Sequence, residues 1–207
     1  MTLARRALLL GAVGAPVLWL PLPAQAGAQV EEPLADSVRT ALSAAVAESA
    51  PPKPSFDTMD ARLAYLRWLG AASERLKRRK AEHHTRVEFL ETLWYESRRA
   101  GLETALVLGL VQVESGFRKY AISSAGARGY MQVMPFWTRV IGDGDPSRLF
   151  HLQTNLRFGC TILRHYLERE KGDLFLALGR YNGSRGRAEY PNLVFGARRQ
   201  WRVEGVG

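Results

Sequence analysis

Cysteine is almost absent from the sequence, and this scarcity is the first constraint on the fold. Cys160 is the only cysteine among 207 residues, which excludes an intrachain disulfide. Because it lies in the apolar stretch FGCTIL, we expect a buried and unreactive thiol. The glycine-rich patterns GxGxxG and GxxxxGK are also missing, so no motif indicates a nucleotide-binding site.

Long runs of alternating β-branched residues and internal repeats are missing as well. Apolar residues nevertheless make up 46% of the chain, which is enough for a sizeable core. They recur at helical spacing over 59–76, 87–94 and 154–168. Residues 102–114 partly alternate, as a strand would, but their length favours a buried helix that Gly116 would end. The sequence therefore predicts a mostly α-helical protein.

The first 26 residues have the pattern of an export signal. Arg5 and Arg6 precede an apolar run over 7–20, and Ala24-Gln25-Ala26 resembles a cleavage site. The run is too short and too interrupted by proline for a comfortable membrane span, although an uncleaved anchor is the alternative. We therefore expect residues 1–26 to be a cleavable signal peptide that exports the protein to the periplasm or cell envelope.

Two segments separate this signal from the rest of the chain. Residues 27–55 are rich in Ala, Glu and Pro, and we expect a linker or a loosely docked, weak helix that ends before PPKP at 51–54. Residues 56–100 are expected to form a helical extension, with Asp57 or Thr58 capping its first helix. Envelope protein partners could bind through this N-terminal extension.

The charge balance points to an anionic partner. The formal net charge is +9, and without residues 1–26 it remains about +7 because only two arginines are lost. Nucleic acid, acidic lipid and cell-wall polymer all fit such a charge. Export and the absence of a recognised binding motif argue against nucleic acid. His83 and His84 are adjacent and lack a third ligand nearby, so we expect no metal site and no cofactor.

One acidic residue stands out because it lies at the end of an apolar run. Glu114, in VQVESGF, has Val111, Val113 and Phe117 as neighbours. Apolar surroundings disfavour a carboxylate and raise its pKa. A carboxyl group that keeps its proton near neutral pH can protonate a leaving oxygen, so Glu114 is a candidate general acid.

A second acid in such a setting is lacking. Hydrolytic glycosidases usually use a pair of carboxylates. The other acidic residues after Thr104 lack an apolar setting like that of Glu114: Asp143, Asp145, Glu168, Glu170, Asp173, Glu189 and Glu204. One special carboxyl group is therefore the simplest interpretation.

Four ordered blocks resemble the motifs of the lytic transglycosylase SLT family. They are ESGF at 114–117, SSAGARGYMQVMP at 123–135, NLRFGCTILRHYL at 155–167 and RYNGS at 180–184. The resemblance covers roughly residues 97–201 and implies a lysozyme-like fold of the goose-type lysozyme and SLT class. We expect this helical catalytic domain to occupy residues 101–207.

The same resemblance implies a substrate and a reaction. Family members cleave the β-1,4 bond between N-acetylmuramic acid and N-acetylglucosamine in the glycan strands of peptidoglycan, and they leave 1,6-anhydromuramoyl ends. Glu114 resembles their single catalytic acid and base. Ser115 resembles the serine that follows it, for which we expect a structural role. Ser123 resembles the serine that contacts the reacting muramoyl unit.

Further substrate-binding roles follow from the second and fourth of these motifs. Met131 and Gln132 resemble a Met-Gln pair that lines the saccharide groove, with a core side chain and a loop hydrogen-bonder as the alternatives. Tyr181 and Asn182 resemble the pair beside the catalytic glutamate, where the tyrosine hydroxyl would orient the carboxyl group. Tyr130 departs from the family pattern, which usually has leucine there.

The implied mechanism needs one carboxyl group because the nucleophile belongs to the substrate. Glu114 would protonate the bridging oxygen, and the ionised Glu114 would then take the proton from the C6 hydroxyl that attacks C1. An intramolecular nucleophile has a high effective molarity, so no water needs to be positioned. A hydrolytic muramidase and a catalytically silent peptidoglycan-binding module are the two alternatives. The sequence leaves the oligomeric state open.

Overall fold

The computed structural model describes residues 29–47 and 54–203, so the predicted signal peptide lies outside the described residues. Within these ranges the chain forms eight α-helices and one 3₁₀-helix. The α-helices are α1 Asp36–Ala47, α2 Met59–Leu76, α3 His83–Arg99, α4 Thr104–Ser115, α5 Phe136–Ile141, α6 Leu152–Arg169, α7 Leu174–Asn182 and α8 Glu189–Trp201, and the 3₁₀-helix spans Pro146–Phe150. The mostly α-helical prediction is confirmed. None of these helices is long and apolar enough to cross a membrane.

Helix α4 is the most buried of the helices around the site, and it carries Glu114 near its C-terminal end. Its apolar residues are buried on every side, from Ala105 to Val111. Gly116 ends the helix in the left-handed conformation, with φ of 58°, which confirms the predicted helix and its stop. Gly109 lets α8 approach closely, because a Cβ atom there would lie 2.6 Å from the backbone nitrogen of Arg198.

Helices α2 and α3 form an antiparallel pair, and hydrogen bonds from a buried arginine hold the turn between them. Thr58 caps α2 by accepting a hydrogen bond from the backbone nitrogen of Ala61, as one of the two predicted caps would. The buried Arg86 donates to the carbonyl oxygens of Lys80 and Ala81 at 2.7 and 2.9 Å. A buried arginine therefore sets the path of the turn between the two helices.

Only the C-terminal part of the apolar periodicity of α2 marks the buried face, where Leu76 is fully buried and Leu69 partly buried. Met59, Leu63 and Leu66 follow helical spacing, yet they are 65%, 42% and 49% exposed. The face that packs against the rest of the protein carries Tyr65, Trp68, Ala72 and Leu76 instead. The larger aromatic rings bury more apolar surface, and this decides which face turns inward.

Residues 29–47 pack against the helices that follow. Of the two structures expected for this segment, a linker or a docked helix, the described residues form the docked helix α1. Gln29 is buried and accepts a hydrogen bond from the indole nitrogen of Trp137 at 2.7 Å. Glu32 forms ion pairs with Arg169 and with Arg180, the latter at 3.0 Å. We call residues 29–34 the N-terminal arm.

A buried ion pair joins α3 to α6. The guanidinium of Arg157 donates to one carboxylate oxygen of Glu96 through Nε at 3.1 Å and Nη2 at 2.8 Å. Both side chains are almost completely buried. Cys160 lies on the same helix and is buried, as predicted, and burial raises the pKa of its thiol.

Candidate active site

Glu114 lies where the end of α4 meets the first turn of α8. Its side chain is buried, with 6% of the residue exposed. The hydroxyl of Tyr190 donates a hydrogen bond to Oε1 at 2.5 Å. The other oxygen, Oε2, is buried and has no hydrogen-bond partner among the described residues. One oxygen of the carboxyl group is therefore held in place by Tyr190.

Burial sets the protonation state of Glu114. Desolvation raises its pKa to about 8, and the hydrogen bond from Tyr190 offsets a smaller part of that rise. No second carboxylate is among the described groups that shift this pKa. The carboxyl group is accordingly mostly protonated at neutral pH, as the apolar run around it predicted.

Tyr181 lies beside this carboxyl group but donates its hydrogen bond elsewhere. Its hydroxyl donates to the carbonyl oxygen of Met131 at 2.8 Å. Burial raises the pKa of Tyr181, and the nearby charge of Glu114 adds to the rise. The hydroxyl that was expected to orient Glu114 therefore braces the Met131 backbone, and the direct contact comes from Tyr190.

Tyr190 was not among the predicted site residues. It is 76 positions from Glu114 along the chain, and no motif marks it. A signal was nevertheless present, because Tyr190, Val194, Ala197 and Trp201 recur at helical spacing and all four are buried. That stripe packs α8 against α4 and brings the Tyr190 hydroxyl to the carboxyl group of Glu114.

The two serines hold the loop that follows α4. Ser115 is buried, and its hydroxyl lies 2.7 Å from the carbonyl oxygen of Tyr130, which supports the structural role expected for it. Ser123 is half-buried, and its hydroxyl accepts a hydrogen bond from the backbone nitrogen of Ala127 at 3.1 Å. Isolated β-bridges pair Ile122 with Arg128, and Arg128 in turn with Val133.

The Met-Gln pair takes interior positions. The Met131 side chain is fully buried and fills the space beside Gly159, where a Cβ atom would lie 2.4 Å from its sulfur. The amide nitrogen of Gln132 donates to the carbonyl oxygens of Gly129 and Ala121 at 2.9 and 3.1 Å. These contacts favour the two alternatives, a core side chain and a loop hydrogen-bonder.

Asn182 is buried at the C-terminal end of α7, next to the tyrosine that contacts Met131. Gly183 follows in the left-handed conformation with φ of 84°, which a glycine adopts without strain and which ends the helix there. The structure therefore brings Tyr181 and Tyr190 to Glu114, and Asn182 follows Tyr181 at the end of α7.

A cavity elsewhere among the described residues is separate from this cluster. A cavity of about 530 Å³ lies between α1, α5 and the start of α6, and Glu114 is not among its lining residues. No group of three histidine, cysteine or acidic side chains within residues 29–47 and 54–203 could hold a metal ion.

Comparison with known proteins places the chain in a domain family. The family model described as "Transglycosylase SLT domain" matches residues 93–200, beginning within α3 and before the predicted domain boundary at residue 101. A membrane-bound lytic murein transglycosylase C from Actinobacillus pleuropneumoniae serotype 5b is 38% identical over 93 residues, which is 39% of this chain and 26% of that protein. The protein of the same name from Mannheimia succiniciproducens is 48% identical over 84 residues, covering 37% and 24% of the two chains.

A transglycosylase of Enterobacteria phage PRD1 is 32% identical over 104 residues, or 50% of this chain and 38% of that protein. The matches to the two proteins named lytic murein transglycosylase C thus span about a quarter of the length of each of them. Among solved structures, an inactive mutant of lytic transglycosylase Slt from Pseudomonas aeruginosa aligns with a TM-score of 0.43 and 22% identity, covering 69% of this chain and 27% of that chain.

Proposed function

Because the chain belongs to the transglycosylase SLT domain family, we propose that it is a peptidoglycan lytic transglycosylase. It cleaves the β-1,4 bond between N-acetylmuramic acid and N-acetylglucosamine and leaves a 1,6-anhydromuramoyl end. The names of its relatives, lytic murein transglycosylase C and transglycosylase, support this substrate and this reaction.

The observation that carries the proposal is the burial of Glu114, which raises the pKa of its carboxyl group to about 8. An acid with a pKa of about 8 keeps its proton at neutral pH and can give it to the glycosidic oxygen. A carboxyl group with an ordinary pKa would already be ionised there and could not act as the acid. The buried position also keeps water away from the developing cation at C1.

Tyr190 supports the second half of the reaction. Once Glu114 has given up its proton, a carboxylate remains in an apolar site, which is costly without a hydrogen-bond donor. The Tyr190 hydroxyl supplies that donor at Oε1. Oε2 then accepts the proton of the C6 hydroxyl while the C6 oxygen of the substrate attacks C1. Glu114 thereby returns to its protonated form.

The absence of a second carboxylate acting on Glu114 favours this route over hydrolysis. A hydrolytic muramidase generally requires a second acid as nucleophile or as base for water. Among the described residues, only burial and Tyr190 shift the pKa of Glu114. The C6 hydroxyl of the substrate takes the place of the missing group. Binding without cleavage, the other alternative, does not require a carboxyl group with a raised pKa.

The cell envelope is the proposed location of this activity. The relatives from Actinobacillus and Mannheimia are named as membrane-bound, and peptidoglycan lies outside the cytoplasmic membrane. We propose export through residues 1–26 and substrate binding through residues 114–182, with Ser123, Met131, Gln132, Tyr181 and Asn182 shaping the site.

Mass spectrometry of digested peptidoglycan tests the reaction. Purified protein is expected to release muropeptides lighter by one water than hydrolysis products, because the end is anhydro. A Glu114→Gln variant is expected to release none, since an amide cannot donate the proton. Reducing muramic ends would instead establish the muramidase, and equal turnover by the variant would remove Glu114 from the mechanism.

A further inference from the structure

Helix α2 carries an apolar stripe on its exposed side. Met59, Leu63 and Leu66 are all exposed and follow one another at helical steps of four and three residues. Gly70 continues the stripe by a further step of four, and no atom lies within 4 Å of a Cβ atom built there. At about 100° of rotation per residue, the stripe points away from the buried face that carries Trp68. Large apolar side chains that are exposed side by side mark a surface that packs against another molecule.

The spacing of this stripe is that of two helices paired along a seam. Its steps of four, three and four residues alternate as the d and a positions of a coiled coil do. Met59 and Leu66 take the d positions, and Leu63 and Gly70 take the a positions. In an antiparallel pair, the a positions of one helix lie level with the d positions of the other. Leu63 then meets Leu66 of a second copy, and Met59 meets Gly70, whose missing side chain leaves room for the longer methionine.

The charges along one edge of the stripe agree with this arrangement. Asp60 and Arg67 are exposed, and each directly follows a d position, so both lie on the same edge of the seam. Antiparallel pairing brings Asp60 of each chain next to Arg67 of the other, and twofold symmetry makes this contact twice. Within residues 29–47 and 54–203, neither residue forms an ion pair inside its own chain. The apolar seam and its charged edge are therefore both self-complementary.

We propose that α2 pairs antiparallel with α2 of a second copy of this chain and makes the protein a weak, symmetric dimer. The dimer is weak because a seam of about two and a half heptads buries less surface than a stable interface does. An anionic membrane is the other ligand that fits an amphipathic helix flanked by Arg62 and Arg67. The carboxylate of Asp60 at the edge of the stripe repels an anionic surface, whereas it matches a second copy. No residue of the seam belongs to the Glu114 site, so assembly and catalysis can be tested separately.

Sedimentation equilibrium of charge-reversal variants tests the pairing. We expect the unsubstituted protein to dimerise with a Kd below about 1 mM. Asp60→Arg puts positive charge at both edge positions, and Arg67→Asp puts negative charge at both, so each variant alone should dimerise at least about tenfold more weakly. Mixed in equal amounts, the two variants should associate at least as tightly as the unsubstituted protein, because every contact along the edge then joins opposite charges. A chain that carries both substitutions should dimerise like the unsubstituted protein.

Two leucine variants test the apolar seam itself. Leu66→Ser should weaken dimerisation about tenfold or more, because symmetry removes two leucines from the seam. Leu193→Ser, at an exposed leucine of α8, is the matched control and should leave dimerisation unchanged.

Three outcomes contradict the proposal. An unsubstituted protein that is monomeric at about 1 mM overturns it, as do charge-reversal variants that associate no better when mixed than alone. Binding to phosphatidylglycerol vesicles by a protein that stays monomeric, with the binding lost in Leu66→Ser, would assign the stripe to a membrane instead. Product masses from digested peptidoglycan decide the proposed reaction independently of all these results.

Discussion

At the scale of the residue, the burial of Glu114 has a consequence for stability that can be measured. Its folded pKa of about 8 lies above its unfolded value, so the folded state holds the proton more tightly. The stability contribution of this residue is therefore complete below the unfolded pKa and is lost as pH rises toward about 8. Each pH unit within that window costs up to about 1.4 kcal/mol of unfolding free energy.

Urea unfolding from pH 5 to pH 8 measures this effect. The Glu114→Gln variant has no ionisable group at the site, so we expect its stability to fall less steeply over that range. Relative to the unsubstituted protein, it should gain stability as pH rises. Parallel stability curves for the two proteins would mean that Glu114 titrates at its ordinary pKa and is exposed to water.

Tyr190 tunes the same group through one hydrogen bond. Replacing it by phenylalanine removes the contact that lowers the pKa of Glu114, so the alkaline limb of the kcat/KM profile should move to higher pH. The rate at neutral pH should fall about tenfold or more, because the carboxylate formed in the reaction loses a charged hydrogen bond. Tyr65→Phe, which removes a hydroxyl near Glu91 on α3, is the matched control and should leave the pH profile in place.

A residue's surroundings could be predicted from the sequence only where its neighbours in space are also its neighbours in the chain. Glu114 could be predicted because its apolar neighbours are adjacent in the chain, and local sequence reports local environment. Tyr190 could not, because its contact joins helices that only the tertiary fold brings together. Met131 fills the space beside Gly159, a neighbour distant in the chain that the local sequence does not reveal.

At the scale of the element, the site depends on how closely α4 and α8 approach. Gly109 is the contact point, because a Cβ atom there would overlap the backbone of Arg198. Gly109→Ala should therefore push α8 outward and lower stability by about 1–3 kcal/mol. Because Tyr190 moves with α8, the alkaline limb of the activity profile should shift as well.

Gly70→Ala is the control for helix propensity. Gly70 lies in α2, and no atom lies within 4 Å of a Cβ atom built there. Alanine at that position should stabilise the protein by about 0.4–1 kcal/mol and leave activity unchanged. If both alanine variants behave alike in urea unfolding and in activity, the close approach of α8 at Gly109 has no role.

Helix positions were easier to predict than helix faces. The spacing of apolar residues located α2, α3 and α6, and the length of the apolar run located α4, because both depend on the chain alone. The spacing did not locate the buried face of α2, since Met59 and Leu66 follow the helical period and are nevertheless exposed to solvent. Which stripe is buried depends on what the neighbouring helices offer, and Phe56 and Trp94 receive the Tyr65 ring at centroid distances of 5.0 Å.

At the scale of the whole molecule, the N-terminal arm joins the part of the chain that precedes the family match to the helices of the domain. Gln29 ends up against Trp137, 108 positions away, and Glu31 pairs with Arg139 at 3.3 Å. Composition alone predicted a loose segment here, because Ala, Glu and Pro give no apolar stripe. The hydrogen bond and the ion pairs of the arm have no signature in hydrophobic spacing, although Leu34 of the arm also packs against the core.

Replacing Gln29 by alanine tests whether the arm is part of the folded unit. The indole nitrogen of Trp137 is then left buried without its acceptor, which should lower the unfolding free energy by about 1–3 kcal/mol. The indole proton resonance of Trp137 should shift at the same time, because its hydrogen bond is lost. Val30→Ala, at a neighbouring residue that is 71% exposed, should change stability by less than about 0.5 kcal/mol. Equal stabilities of the two variants, with an unmoved Trp137 resonance, would show that the arm is not held against α5 in solution.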